Sequence, residues 1–382
     1  MADLITNAMQ SAVKKRIFPG AVLLVRFRGH LAYQGAFGCA ALIPQSEPTT
    51  LETVYDLASL TKPLATTTAI LCLIQDGRLR LEDSLHTYFP ELQGKAVGSA
   101  TVCHLLHHSS GLPGWRPLFE GIAAQEQQHP GFLGSEAAGK FAVEYIGREP
   151  LIYPCGTMSL YSDLGFILLG LMIERATSVS LAQFCRERIY QPLGIQRLMF
   201  VPTINGRGGV DGQHVTVASI APAEDDPWRG RVLRGEVHDE NAYALGGIAG
   251  HAGMFGTAAA VMMMADAWLN GYLGRSHFFN RELVHRFVSR DSNMPESSRA
   301  LGWDTPSPPS SSGRYFSAQS FGHLGFTGTS LWIDPYVELE VVLLSNRVHP
   351  SRQDTRIQQF RPLIHDAVYE TIVKADPTGE LT

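Results

Sequence analysis

Runs that read as strands lie near the two ends of this chain, with helical patterns filling the space between them. Ala21–Phe27 and Leu31–Phe37 are apolar or alternating, and Arg28-Gly29-His30 joins them as an early hairpin. Late in the chain, Leu331–Ile333 and Leu339–Leu344 flank a turn at Asp334-Pro335. From about Arg78 to Gly194 the pattern is mostly helical, including Val102–His108 and Gly165–Ala176. Leu4, Ile5, Ala8, Met9, Ala12 and Val13 repeat at helical spacing, and Thr355–Val373 is a second amphipathic helix. Glycine, proline and serine mark loops at Asn205–Gly212, Ala221–Arg231 and Thr305–Gly313, the last read as flexible. The layout predicts an α+β fold rather than alternating βαβ units. One antiparallel sheet is built from both chain ends and flanked by the terminal helices, with a mostly helical region inserted midway. The expected boundaries are 1–76 and 235–382 for the sheet unit and 77–234 for the insert, with the site between them.

Composition narrows what such a fold can do. The 382 residues carry a net charge of −5 with no long run of one sign, which speaks against a nucleic-acid or anionic-membrane partner. No stretch approaches the roughly 18 apolar residues that a membrane helix needs, and Val22-Leu23-Leu24-Val25 is far too short. The five cysteines are scattered, odd in number and free of C-x-x-C spacing, so buried free thiols are expected. Reduced thiols, and no basic start followed by an apolar run, point to the cytoplasm. His104 and His108 have the spacing of a metal pair, but no H-E-x-x-H or matching carboxylate accompanies them. No metal, no organic cofactor and no phosphate-binding glycine loop is expected. The partner is expected to be a small molecule.

The chemistry centres on Ser59-Leu60-Thr61-Lys62, at the start of a helical pattern running to Gln75. A serine hydroxyl holds its proton too tightly to attack at neutral pH, and needs a base within hydrogen-bond reach. Residues three apart on a helix share a face, so Lys62 can serve Ser59 if it is neutral some of the time. Burial and the positive end of the helix are expected to lower its pKa. Spacing alone is weak evidence, because Ser11-Ala12-Val13-Lys14 repeats it. Ser59 differs in lying among small and apolar residues, in a chain with only six lysines against 25 arginines. Two further elements follow. Tyr161-Ser162-Asp163 precedes an apolar helix and reads either as a helix start or as a phenol that relays a proton. His323-Leu324-Gly325-Phe326-Thr327-Gly328-Thr329 reads either as a turn before an edge strand or as a strand edge that binds substrate, with His323 supplying a polar or cationic group.

S-x-x-K, then Y-S-D, then H-x-G before a late strand resembles the serine β-lactamase-related hydrolases, which include class C β-lactamases, DD-peptidases (penicillin-binding proteins) and family VIII esterases. Leu105–Leu112, His238–Ala242 and Gly250–Phe255 add local similarity, and the resemblance spans about Pro19 to Asn346. It implies Ser59 as the acylated nucleophile, Lys62 as proton acceptor and Tyr161 as the second proton-transfer group. It also implies substrate contacts from Asp163, His323 and Gly325, with the backbone N–H groups of Ser59 and Phe326 as oxyanion donors. His238, Asp239 and His251 are expected to hold loops near the site. Asp163 stands where β-lactamases usually carry Asn, His323 where many relatives carry Lys or His, and Leu324 where Thr is usual. These departures shift the expectation from an efficient β-lactamase towards an esterase or peptidase cleaving esters or small amides, with β-lactamase or D-Ala-D-Ala carboxypeptidase activity, or acyl transfer on the same residues, as alternatives. A non-turnover sensor of penicillin type is a third reading. No G-x-S-x-G elbow is present, so an α/β-hydrolase is disfavoured.

Overall fold

The computed structural model describes residues 2–204, 207–208, 215–291, 294 and 296–375. A six-stranded antiparallel sheet draws strands from both ends of the chain. The early part supplies β1 (Gly20–Phe27), β2 (His30–Ala41) and β3 (Glu47–Pro48). The late part supplies β4 (Phe321–Leu324), β5 (Ser330–Asp334) and β6 (Leu339–Ser345). The spatial order is β4-β5-β6-β1-β2-β3. The two ends meet where β1 pairs with β6, from Ala21 opposite Ser345 to Phe27 opposite Leu339. The β1–β2 hairpin turns through Arg28 and Gly29, both at positive φ, as a tight turn between right-twisted strands requires.

Four helices position the rest: α1 (Ala2–Lys14), α2 (Asp163–Thr177), α3 (Ala258–Leu273) and α4 (Ile357–Val368). Leu23, Val25, Val341 and Leu343 pack one sheet face against α1 and α4 through Ile5, Met9, Phe360 and Ile364. Val22, Leu24, Val342 and Leu344 pack the other face into the main core, which includes Trp268 of α3 and Phe166 and Leu168 of α2. Burial on both faces explains why β1 reads as a continuous apolar run rather than an alternating one. It also explains why α2, surrounded by the core, is apolar on nearly every side. Among the described residues no single helix is long and apolar enough to cross a membrane.

Several local expectations need correction. Ser59–Gln75 is not one α-helix: a 3-10 turn (Ala58–Leu60) and a wide π turn (Lys62–Thr67) precede the α-helix Thr68–Gln75. Pro63 has no N–H to give, and the hydroxyls of Thr61 and Thr68 donate to the carbonyls of Ala58 and Pro63, which competes with a regular ladder. The helix from Val102 ends at Leu106, so His104 and His108 do not share a helix. The edge strand is β4 itself, so His323 lies in a strand, and Leu331–Ile333 is one strand further in. Thr355–Val373 divides into α4 and a π turn at Tyr369–Val373. Thr305–Gly313 is a loop, with Thr305 and Ser312 buried and Pro308 and Pro309 exposed. Ala221–Arg231 contains a short pairing of Asp225–Asp226 with Arg231–Val232. The loop expected at Asn205–Gly212 lies outside the described residues, apart from 207–208, which pair with 203–204. All five cysteines are unpaired, but only Cys72 and Cys185 are buried, while Cys39, Cys103 and Cys155 are half-exposed.

Candidate active site

Ser59 sits in a turn held from three directions. Ala58, just before it, has φ of 47°, a strained conformation for a residue with a side chain. The buried carboxylate of Asp56 holds that turn, accepting the N–H of Ala58 at 2.8 Å and the N–H of His238 at 2.7 Å. Burial raises the pKa of Asp56, and these N–H groups oppose the rise. The hydroxyls of Thr327 and Thr329 donate to the carbonyls of Asp56 (2.7 Å) and Leu57 (3.1 Å). The turn after β4 is thereby stitched to the turn that carries Ser59. Gly325 permits the close approach, because a Cβ there would meet Thr329 Oγ1 at 2.0 Å and the Leu57 carbonyl at 2.6 Å.

Lys62 is fully buried, and its Nζ donates to Ser59 Oγ at 3.0 Å and to the carbonyl of His251 at 3.2 Å. The same nitrogen lies 2.7 Å from Oδ1 of Asp163. An ammonium has three hydrogens, and Ser59, the His251 carbonyl, Asp163 and the Tyr161 hydroxyl all stand as partners for them. Burial, the largest single influence, pulls the lysine pKa down, but Asp163 and Tyr161 together outweigh it and the net shift is upward. The expectation of a lowered pKa is therefore overturned. The carboxylate that reverses it comes from α2, far along the chain. In contrast, Ser11 and Lys14 lie on α1 with Lys14 exposed, so the repeated spacing has no buried partner there.

Tyr161 stands over this pair, with Lys62 Nζ 4.7 Å from its ring centre. Burial raises its phenol pKa, and Lys62 opposes the rise, so the hydroxyl keeps its proton at neutral pH. Ser162 is the N-cap of α2, accepting the N–H of Gly165 at 3.4 Å. The helix-start reading of Tyr161-Ser162-Asp163 holds, and the same segment brings Asp163 and Tyr161 beside Lys62. His108 packs its ring against Tyr161 at 4.6 Å and accepts the N–H of Ser162 on Nδ1 at 3.0 Å.

His323 is buried beside Tyr161, with ring centres 5.9 Å apart. Its Nδ1 donates to the Leu324 carbonyl at 2.8 Å, which leaves Nε2 as a buried lone pair without a partner. Burial, Lys62 and Arg299 push its pKa well below the ordinary value. A cationic His323 is thereby corrected to a neutral acceptor. Phe326 is half-exposed, with His238 stacked at 5.6 Å and the Arg347 guanidinium 4.3 Å from its ring centre. Arg361 braces the turn from inside, donating to the carbonyls of Gly325 and Thr329 at 2.7 and 2.8 Å. Ser59, Tyr161, Asp163, His323, Gly325 and Phe326 all line one cavity of about 780 Å³.

A family model described as Beta-lactamase matches residues 2–363. The chain belongs to the beta-lactamase family. An Escherichia coli (strain K12) protein that bears a D-alanyl-D-alanine carboxypeptidase name is 32% identical over 369 residues, covering 90% of this chain and 82% of the relative. A Bacillus subtilis (strain 168) protein named N-acetylmuramyl-L-alanine amidase is 30% identical over 361 residues, covering 87% and 78%. Among solved structures, EstCE1, described as a hydrolase with promiscuous acyltransferase activity, shares the fold with a TM-score of 0.73. That match has 21% identity and covers 96% of this chain and 98% of the other.

This beta-lactamase-family chain is a serine hydrolase, and its site contains more than the motifs announced. Asp56 stands out in the sequence only as an acid in the apolar run Tyr55–Leu60. His108 is legible as half of a metal pair and as part of the Leu105–Leu112 similarity, neither of which gives it a place beside Tyr161; among the described residues no group of three His, Cys, Asp or Glu could hold a metal. Arg299, with its guanidinium 5.0 Å from the centre of the Tyr161 ring, carried no signal at all. His251 donates through Nε2 to Asp239 at 2.7 Å, and Asp239 caps Glu240–Ala244. Burial would raise the Asp239 pKa, but His251 and the N–H of Ala242 hold it well below the usual carboxylate range. His238 is tied by Nε2 to Glu224 at 3.0 Å. These contacts fix the loop that carries the Lys62 acceptor and the imidazole that stacks on Phe326.

Proposed function

We propose that this hydrolase works through an acyl-enzyme on Ser59 and cleaves carboxylic esters or small amides. The observation that carries the reading is the 3.0 Å contact from Lys62 Nζ to Ser59 Oγ, in a cavity wall shared with Tyr161. Lys62 rests as an ammonium and must first release a proton, for which the partly exposed carboxylate of Asp163 offers a route to solvent. Ser59 Oγ then bonds to the acyl carbon while its proton passes to Lys62, and the carbonyl electron pair moves onto oxygen. The N–H groups of Ser59 and Phe326 steady that oxyanion. Collapse breaks the bond to the leaving group, which takes a proton relayed by Tyr161 from Lys62. Water attacks the acyl-serine, its proton follows the same path, and Ser59 Oγ departs protonated. An alcohol or amine in place of water would give acyl transfer on the same residues.

A second reading, a carboxypeptidase acting on D-Ala-D-Ala-type peptides, draws support from Arg299. Its guanidinium lines the cavity beside Tyr161 and is only loosely paired with Asp304, at 3.5 Å. It can meet a substrate carboxylate in place of the cation that His323 does not supply. The test is intact-protein mass spectrometry after exposure to p-nitrophenyl esters, a cephalosporin and D-Ala-D-Ala peptides. An adduct on Ser59 that forms and decays is expected, and its absence in Ser59→Ala is required. Turnover surviving in Ser59→Ala would sink the assignment, and an adduct that never decays would favour a sensor.

A further inference from the structure

Part of the cavity lining is aromatic, and the chemistry above leaves it without a task. Trp115 and Phe119 line the same cavity as Ser59, and Trp115 is 44% exposed. Their rings lie 6.4 Å apart, Trp228 meets Phe119 edge-on at 4.6 Å, and Tyr243 backs Trp228 at 5.7 Å. Buried polar groups hold this row in place. Asn241, fully buried, accepts the N–H of Phe119 at 3.0 Å and donates to the carbonyl of Arg116 at 2.9 Å. Arg229 lies over the Tyr243 ring at 4.8 Å, pairs with Asp226, and donates to the carbonyls of Val237 and His238 at 2.7 Å each. The row is thereby fastened to the segment that also carries Asp239. Large aromatic surface held rigidly at the mouth of a catalytic cavity gains most when a ligand covers it, and little ordering is left to oppose binding.

We propose that Trp115 and Phe119 form a shelf for a flat aromatic or extended apolar acyl group of the substrate. This rests on Ser59 being the acylated residue and says which acyl groups it accepts. Tyr161, the donor to the leaving group, has Arg299 and His323 against its ring, so the polar wall suits the leaving group and the aromatic wall the acyl group.

Methyl acetate, methyl octanoate, methyl phenylacetate and benzyl acetate, followed in a pH-stat, test the shelf. The wild type should hydrolyse methyl phenylacetate and methyl octanoate with at least tenfold higher kcat/KM than methyl acetate. Trp115→Ala should cut the phenylacetate-to-acetate ratio about tenfold, and Trp115→Phe should restore most of it. An unchanged ratio in Trp115→Ala overturns the shelf. So does a preference that follows the alcohol, with benzyl acetate favoured and the acyl series flat. Failure of the catalytic reading looks different: no ester is turned over and no adduct forms on Ser59, which removes the shelf proposal with it.

Discussion

Lys62 Nζ lies 2.7 Å from Oδ1 of Asp163, and this contact sets the resting charge of the proposed base. A carboxylate beside an ammonium favours the charged form. Activity that needs neutral Lys62 must therefore rise with pH, and the anion pushes that rise towards alkaline pH. Asp163→Asn keeps an oxygen acceptor but removes the charge. The ascending limb of the kcat/KM–pH profile should move acid-ward by about one to two units. A limb that stays in place would falsify the role given to Asp163.

Arg299 offers a carboxylate-binding group where the H-L-G strand offers none. A charge-assisted hydrogen bond is worth about 1.5–3 kcal/mol, or roughly ten- to a hundredfold in rate constant. Arg299→Ala should lose that factor on a D-Ala-D-Ala peptide relative to its C-terminal amide, read as kcat/KM for each. If the acid and the amide suffer equally, Arg299 does not recognise a carboxylate and the carboxypeptidase reading loses its support.

Glu340 of β6 is fully buried, and neither carboxyl oxygen has a hydrogen-bond partner. Arg26 faces it across β1, but that guanidinium is committed to Asp266 of α3 and to the carbonyl of Gly29. Burial pushes the Glu340 pKa up to about 8, with Arg26 opposing. An unfolded glutamate ionises near 4.3, so between about pH 4.3 and 8 the folded chain holds a proton that the unfolded chain releases. Stability should then fall as pH rises through that window, by up to about 1.4 kcal/mol per unit, and level off above it. Glu340→Gln should flatten this component, read as the difference in urea-unfolding free energy between the two proteins from pH 5 to 8. A pH-independent difference would remove Glu340 from the account.

Much of the fold was legible because the signals are local. Alternation and apolar runs in Ala21–Phe27 and Leu339–Leu344 report burial of a strand whatever its partner is, and the observed strands differ from the reading by a residue or so at each end. The helical reading of Ser59–Gln75 failed in its first turns, because threonine hydroxyls and Pro63 redirect backbone bonds in ways that periodicity does not record. The H-L-G strand was misplaced by one position in the sheet, because four residues ending in a glycine-rich turn look like a loop until β5 is seen beside them.

The order of residues along the chain determined that Ser59 and Lys62 would share one turn, and that strands from both ends would need a common sheet. Both follow from backbone geometry over a few residues and from the burial each pattern demands. Tertiary structure alone decided the charges. Lys62 rests as an ammonium because Asp163, at the start of α2, and Tyr161, just before that helix, lie beside it, and His323 stays neutral because its imidazole is buried and crowded by Lys62 and Arg299. Protonation depends on what lies within a few ångströms, and those neighbours come from segments that the sequence keeps far apart.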